Sequence, residues 1–306
     1  MSEILSRSRR AGRAGKVGRA GPSAWLAAPA LAFFLGFAVL PMLGVVLLSF
    51  TNWDGLGAIT WGGLTNWTHV LTSSVTATSL WVTAKIMFFS YIVQTPISIL
   101  LGVFTAGRQK YRTVLAVLYF VPLLLSSAAV AIAFKALLDP NFGVGPALGL
   151  PVLAQDWLGD PNLVLFVVVF VIAWQFVPFH TLIYQGGVRQ IPASLYEAAE
   201  IDGAGRVQQF LHITLPQLKY TIITSSTLMV VGSLAYFDLI FVLTGGGPGI
   251  STRLLPLDMY LTGFQSNEMG AASVLGVILV VIGLALALML QRLGGKDRNV
   301  SQLEGA

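Results

Sequence analysis

The sequence predicts an all-α integral membrane protein with six transmembrane helices, and three observations carry that prediction. Hydrophobic residues make up 55% of the 306 and charged ones only 10%, a balance outside the range of soluble domains. Six apolar stretches are each long enough to cross about 30 Å of hydrocarbon at about 1.5 Å per residue. Lysine and arginine cluster in alternate connections, the pattern that orients a multi-span chain.

The stretches cover residues 24–50, 84–106, 114–135, 162–186, 220–243 and 272–290. Each is expected to be helical, because a segment in lipid must satisfy its own backbone hydrogen bonds. The first follows a basic tail and so imitates a secretion signal. Its 27 residues exceed the apolar core of such a signal and no small-residue cleavage site follows, so the span is expected to be retained. Arg9 and Arg10 belong to a scattered basic tail and are not read as an export signal. The fourth stretch carries Trp174, Gln175, Phe176, Pro178, Phe179 and His180, and the fifth carries Ser225, Ser226, Thr227, Ser233, Tyr236 and Asp238. Polar and aromatic residues are costly in lipid and face a bundle interior or a wet cavity. Helix packing is the other reading, with hydroxyls bonded back to their own helix.

Fifteen of the 18 basic residues fall on one side. They are Arg7, Arg9, Arg10, Arg13, Lys16 and Arg19 in the tail, and Arg108, Lys110 and Arg112 in the 107–113 loop. Arg189, Arg206 and Lys219 follow in the long loop, and Arg292, Lys296 and Arg298 at the C-terminus. The opposite loops carry Arg253 with Asp54, Asp139, Asp156, Asp160, Asp258 and Glu268; Lys85 and Lys135 are read as span ends. Both termini and the 187–219 segment are therefore expected in the cytoplasm, with a basic tail at 1–23, a transmembrane domain at 24–290 and a C-terminal tail at 291–306. The basic excess reports this topology and contact with anionic lipid, not nucleic-acid binding.

Several chemistries lack their residues. There is no cysteine, so disulfides and thiolate sites are excluded. His69, His180 and His212 are scattered singly, so no metal site is expected. No G-x-x-x-x-G-K-[ST] loop is present, and the glycine run Gly245 to Gly249 lacks the lysine that would hold phosphates. It reads as a break after a helix.

The polar segment between the fourth and fifth stretches, 187–219, says most about function. Its centre reads LYEAAEIDGAGRVQQFLHITLP, Leu195 to Pro216. Ser194 and Glu197 have capping-box spacing, which predicts a two-turn helix from Leu195, ended by Gly203 and Gly205. Ala198 and Ala199 leave part of that helix bare for close approach by another protein, while Glu197, Glu200 and Asp202 supply charge. Arg206 to Leu215 is expected to run back to the membrane and stop near Pro216. A solvated connector is the plainer alternative.

Glu197-Ala198-Ala199, Asp202-Gly203-Ala204 and Ile213, Leu215 and Pro216 resemble, at the same spacing, the EAA loop of ABC importer permeases. FDLIFVLTGGGPG at 237–249, WLGDPN at 157–162 and the run from Trp174 through the loop are similar to the carbohydrate branch of that family. The resemblance implies a type I importer permease fold and a heterodimer with a second permease. It also implies two separate ATPase subunits that bind the ATP, no cofactor on this chain, and an extracytoplasmic sugar-binding protein. Glu197, Ala198, Ala199, Asp202, Gly203 and Ala204 become the expected ATPase contact. By motif offset, substrate contacts are implied at Phe176, Phe179, Ser233 and Tyr236, to which Gln175, His180 and Asp238 are added as polar residues within the same spans. Gly203→Asp is expected to stop uptake while the protein still reaches the membrane. Two alternatives stay open: a permease for another solute such as glycerol phosphate, or an ion- or proton-coupled secondary transporter using Asp238 and His180. An intramembrane enzyme lacks a catalytic pair.

Overall fold

The computed structural model describes residues 24–107 and 109–293. The 1–23 tail, Arg108, Lys296 and Arg298 lie outside the described residues. Among the described residues, those up to Gly44 and those from Val45 onward form two compact units. The first helix, α1, runs Ala28–Leu48 and contains a π turn at Leu35–Val39. That turn ends one residue before Leu40-Pro41. Widening the ladder to i→i+5 there removes the clash between a proline ring and the preceding turn.

The larger unit opens with a two-stranded antiparallel hairpin, β1 Thr51–Asn52 and β2 Thr60–Trp61, with Thr51 opposite Trp61. Gly62 approaches the Asn52 side chain so closely that a Cβ there would overlap its amide. A short helix α2, Thr65–Thr72, leads into α3, Ser74–Thr105. The expected start at 84 is corrected by ten residues. Ser73 caps α3 by accepting the Thr76 N–H at 3.4 Å, and the early polar residues are buried against protein: Ser79 and Thr83 are enclosed, and Thr83 Oγ1 accepts the Leu255 N–H at 2.9 Å. Lys85 lies within this helix, which at 32 residues is longer than the hydrocarbon core it has to cross.

Two of the expected spans are broken. α4, Lys110–Leu124, and α5, Ser127–Leu137, meet at 96°. Pro122 in the last turn of α4 removes a donor, Leu125 and Ser126 are extended, and Ser126 Oγ restarts the helix by accepting the Ala129 N–H at 3.2 Å. Apolar length concealed this break because only two residues interrupt the run. The connection to the next span contains short helical turns at Val144–Ala147 and Pro151–Leu153.

α6, Val164–Arg189, is a continuous span. It packs along α3 through Gly102, where an added Cβ would stand 2.7 Å from Tyr184 Cβ and 3.1 Å from the Gln185 nitrogen. Small residues permit such backbone contact, which drives association where lipid offers no hydrophobic difference. Past α7, Ala193–Ile201, and α8, Arg206–Gln209, a π turn at Phe210–Thr214 and a short turn Leu215–Gln217 lead into α9, Lys219–Ser233.

The fifth span breaks again: α9 and α10, Phe237–Leu243, are bent by 49°. Phe237 N donates to Ala235 O at 2.7 Å around Tyr236, whose φ of −73° and ψ of 47° make an inverse γ-turn. The glycine run ends α10, with Gly245, Gly246 and Gly249 at positive φ. α11, Leu255–Tyr260, then precedes α12, Met269–Leu293. The main core joins α3, α5, α6, α10 and α11 through Val82, Ile86, Val130, Val168, Ile172, Leu239, Ile240 and Leu257. Arg253 Nη2 meets the buried Asp258 carboxylate at 2.6 Å. Among the described residues, four helices are long and apolar enough to cross a membrane, and the two bent pairs bring the spans to six.

Candidate functional site

The loop helix α7 starts at Ala193, with Pro192 in the cap position and no side-chain cap. The expected Ser194–Glu197 capping box is therefore corrected. Pro192 is extended (φ −58°, ψ 131°), which moves the start two residues earlier and leaves Ser194 inside the first turn. The end of the helix follows expectation closely. Gly203 takes φ +78°, Gly203 N donates to Glu200 O at 3.1 Å, and Ala204 N donates to Ala199 O at 2.8 Å. These two bonds form a Schellman motif. Gly205 instead caps α8, its N–H donating to Gln208 Oε1 at 2.9 Å.

α7 contains no buried residue. Glu197, Ala198, Asp202 and Gly203 are exposed, Ala199 and Ala204 half-buried. Ile201 is 87% exposed and Val207 72%, an apolar pair at the tip. The tether is slight: Tyr196 Oη lies 2.9 Å from Thr214 Oγ1. Behind it Leu218, Phe210 and Leu215 pack on Ile99 and Tyr184, joining the loop to α3 and α6. The chain does not stop at Pro216, as had been expected. As before Pro41, the π turn at Phe210–Thr214 absorbs the proline, so the path from the loop into α9 stays helical. Glu200 and Asp202 lie at the C-terminal end of α7, where the helix dipole disfavours negative charge.

Within the bundle, a cavity of about 310 Å³ lies between both breaks. Leu123 and Ser127 flank one break; Ala235, Tyr236 and Asp238 belong to the other; Phe176, Phe179 and His180 come from α6. The Phe176 and Tyr236 rings are 5.3 Å apart, and Phe179 meets His180 edge-on at 5.2 Å. His180 Nδ1 is 2.9 Å from Ser225 Oγ. Asp238, in the first turn of α10, makes no hydrogen bond or ion pair among the described residues. This is enough volume for a small ligand, walled by aromatic faces and a few polar groups.

Two expected residues stand apart from that wall. Gln175 Nε2 donates to Leu125 O at 3.2 Å, satisfying a carbonyl that the α4–α5 break set free. Ser233 Oγ bonds back to Val230 O at 2.7 Å. The sequence reading also passed over a face of α3. Ser90, Gln94, Ser98 and Gly102 recur at i+4 and all face protein. Tyr91 Oη meets Ser226 Oγ at 3.1 Å, and Ser98 Oγ donates to Val177 O at 3.3 Å. The four-residue spacing of small and polar residues was the available signal.

Interrupted spans around an internal cavity, with a short exposed helix on the fourth-to-fifth connection, define the permease fold of type I importers. The alginate importer of a bacterium shares this fold, with a TM-score of 0.77 at 21% identity over 97% of this chain and 100% of that one. Residues 98–296 match the family described as binding-protein-dependent transport system inner membrane component, and the chain belongs to that family of ABC transporter permeases. Among its relatives, the probable ABC transporter permease YurN of Bacillus subtilis is 32% identical over 85% of this chain and 91% of its own length. The arabinooligosaccharide permease AraP of the same organism is 30% identical, covering 89% and 88%. The trehalose/maltose permease MalF of Thermococcus litoralis is also 30% identical, covering 89% and 92%.

Proposed function

We propose that the chain is one of two unlike permease subunits of an ATP-driven importer of a di- or oligosaccharide. Both tails and the 187–219 loop lie in the cytoplasm, separate ATPase subunits bind and hydrolyse the ATP, and an extracytoplasmic binding protein delivers the cargo. The observation that carries this reading is α7: a nine-residue helix with no buried residue, tipped by exposed Ile201 and bearing two acids where its own dipole opposes them. Alone, so short a helix is marginal in water. A partner socket that covers the alanine face and meets Glu197 and Asp202 would explain what stability does not.

Movement of that socket has a mechanical route inward. α8, the π turn and α9 form a nearly continuous helical path from the loop to the cavity at the Tyr236 break. ATP closure of the ATPases favours the outward-facing state through its stronger grip on that geometry, and hydrolysis returns the bundle to the inward-facing one. Phe176, Phe179 and Tyr236 offer ring faces to sugar carbons, while His180 and Asp238 offer polar partners to hydroxyls. The named cargoes of the relatives, arabinooligosaccharides and trehalose/maltose, support a saccharide.

The test is uptake into proteoliposomes by the assembled importer, purified through a tag on this chain. Labelled maltose, trehalose and arabinooligosaccharides are offered with the binding protein outside and ATP inside. Uptake that requires ATP and binding protein supports the proposal; uptake driven by a proton gradient without ATP overturns it.

A further inference from the structure

Gln94 stands on α3, one turn beyond Ser90, and is 0% exposed. The Tyr236 hydroxyl has this amide as a side-chain neighbour, although neither amide atom, Oε1 or Nε2, completes a hydrogen bond. Buried polar side chains are almost always partnered, so an amide with both ends open requires a reason. Pure packing does not supply one, because a methionine of the same length would fill the space without the desolvation cost.

The surroundings supply it. Tyr236 sits at the centre of the inverse γ-turn between α9 and α10, where no helical ladder holds the backbone, and its ring forms part of the cavity wall. A rotation at that turn is the motion by which hydroxyl and amide would meet. A glutamine amide offers both a donor and an acceptor. When Nε2–H donates to the phenol oxygen, the phenol proton is free to point into the cavity; when the phenol donates to Oε1, its lone pairs face the cavity instead.

We propose that Gln94 is a positioning residue for Tyr236, and that the pair reads a hydroxyl of a saccharide cargo either as donor or as acceptor. This rests on the reading of the cavity as part of the cargo path. It brings the second span into selectivity, where sequence resemblance had pointed only to the fourth and fifth. It also accounts for a hydroxyl reader that suits sugars of differing hydroxyl orientation.

The experiment uses the assembled importer in proteoliposomes, with whichever of maltose, trehalose and arabinotriose the wild type carries, and the monodeoxy analogues of that sugar. Gln94→Met keeps the length and removes the amide. Expected is an uptake about tenfold lower for the parent sugar, the factor that one lost hydrogen bond gives. At least one monodeoxy analogue, lacking the hydroxyl that is read, falls by less than about twofold, so discrimination between the two collapses. Tyr236→Phe gives the same pattern, and the double variant falls no further than Tyr236→Phe alone. Co-purification of the ATPase subunits reports assembly. Should Gln94→Met fail to assemble, Gln94→Glu, which keeps the shape and an acceptor oxygen, is expected to retain parent uptake within about threefold. Equal losses for the parent and every analogue, additive losses in the double variant, or unchanged uptake would each overturn the proposal. A wild type that carries none of the three sugars would instead remove the saccharide reading itself.

Discussion

Gly203 gives the sharpest test of the loop helix. A Cβ built there meets nothing within 4 Å, so substitution causes no clash and the whole cost lies in the backbone at φ +78°. Holding an ordinary L residue in that conformation costs about 1–2 kcal/mol, and asparagine or aspartate less. α7 has no buried residue to offset this, so the strain falls on the two Schellman bonds from Gly203 and Ala204. A change of about 1–2 kcal/mol shifts the folded population of the last turn by about 5- to 30-fold. Gly203→Val should therefore reduce ATP-driven uptake in proteoliposomes by about tenfold or more, with membrane insertion and thermal stability near wild type. Gly203→Asn should recover most of the uptake. Gly203→Asp, which adds a third acid at the negative end of the helix, should fall below valine and stop uptake while the protein still reaches the membrane. Normal uptake by the valine variant, or equal loss by valine and asparagine, would refute the argument from backbone geometry.

Three further outcomes are expected. Asp202→Asn removes a charge that opposes the α7 dipole and should stabilise the isolated 190–219 peptide by a few tenths of a kcal/mol in circular dichroism, while weakening retention of the ATPase subunits on purification. Gly102→Leu, whose Cβ would stand 2.7 Å from that of Tyr184, should destabilise the α3–α6 contact by about 1–3 kcal/mol, read as a lower melting temperature in detergent. Asp54 and Asp139 are held below the usual carboxylate value of 3.8 by backbone N–H donors, Gly57 and Leu56 for the first and Phe142 and Asn141 for the second. Their contribution is present above pH 3.8 and lost as the pH falls through their lower folded values. Protease accessibility of the 51–61 and 139–143 loops should therefore stay constant down to about pH 4 and rise only below it.

Much of this architecture was legible in residue order. All six apolar stretches became spans, because apolar length in lipid leaves the backbone little choice but helix. Gly203 was legible for the same kind of reason, since a helix end followed by glycine has few alternatives. The breaks at Leu125–Ser126 and at Tyr236 were not: each interrupts the apolar run by two or three residues, and its cost is met by partners distant in sequence, such as Gln175 for Leu125. The start of α7 was misplaced because Ser194 has capping spacing while Pro192 already fixes the extended conformation that begins the helix. The polar face of α3 escaped notice because serine and glutamine spread at i+4 lower the hydropathy only slightly. Gln175 and Ser233 show the limit of placing residues by motif offset, since spacing gives the depth of a residue in a span but not the direction its side chain takes.

Both interruptions border the same 310 Å³ cavity, and this bears on how cheaply its walls can be rearranged. Along an intact helix, pivoting one half against the other would sacrifice main-chain hydrogen bonds. At Leu125 and at Tyr236 those bonds have already been surrendered in the resting fold. The chamber is thus jointed at its own lining, and either bend can turn without melting the helices on its two sides.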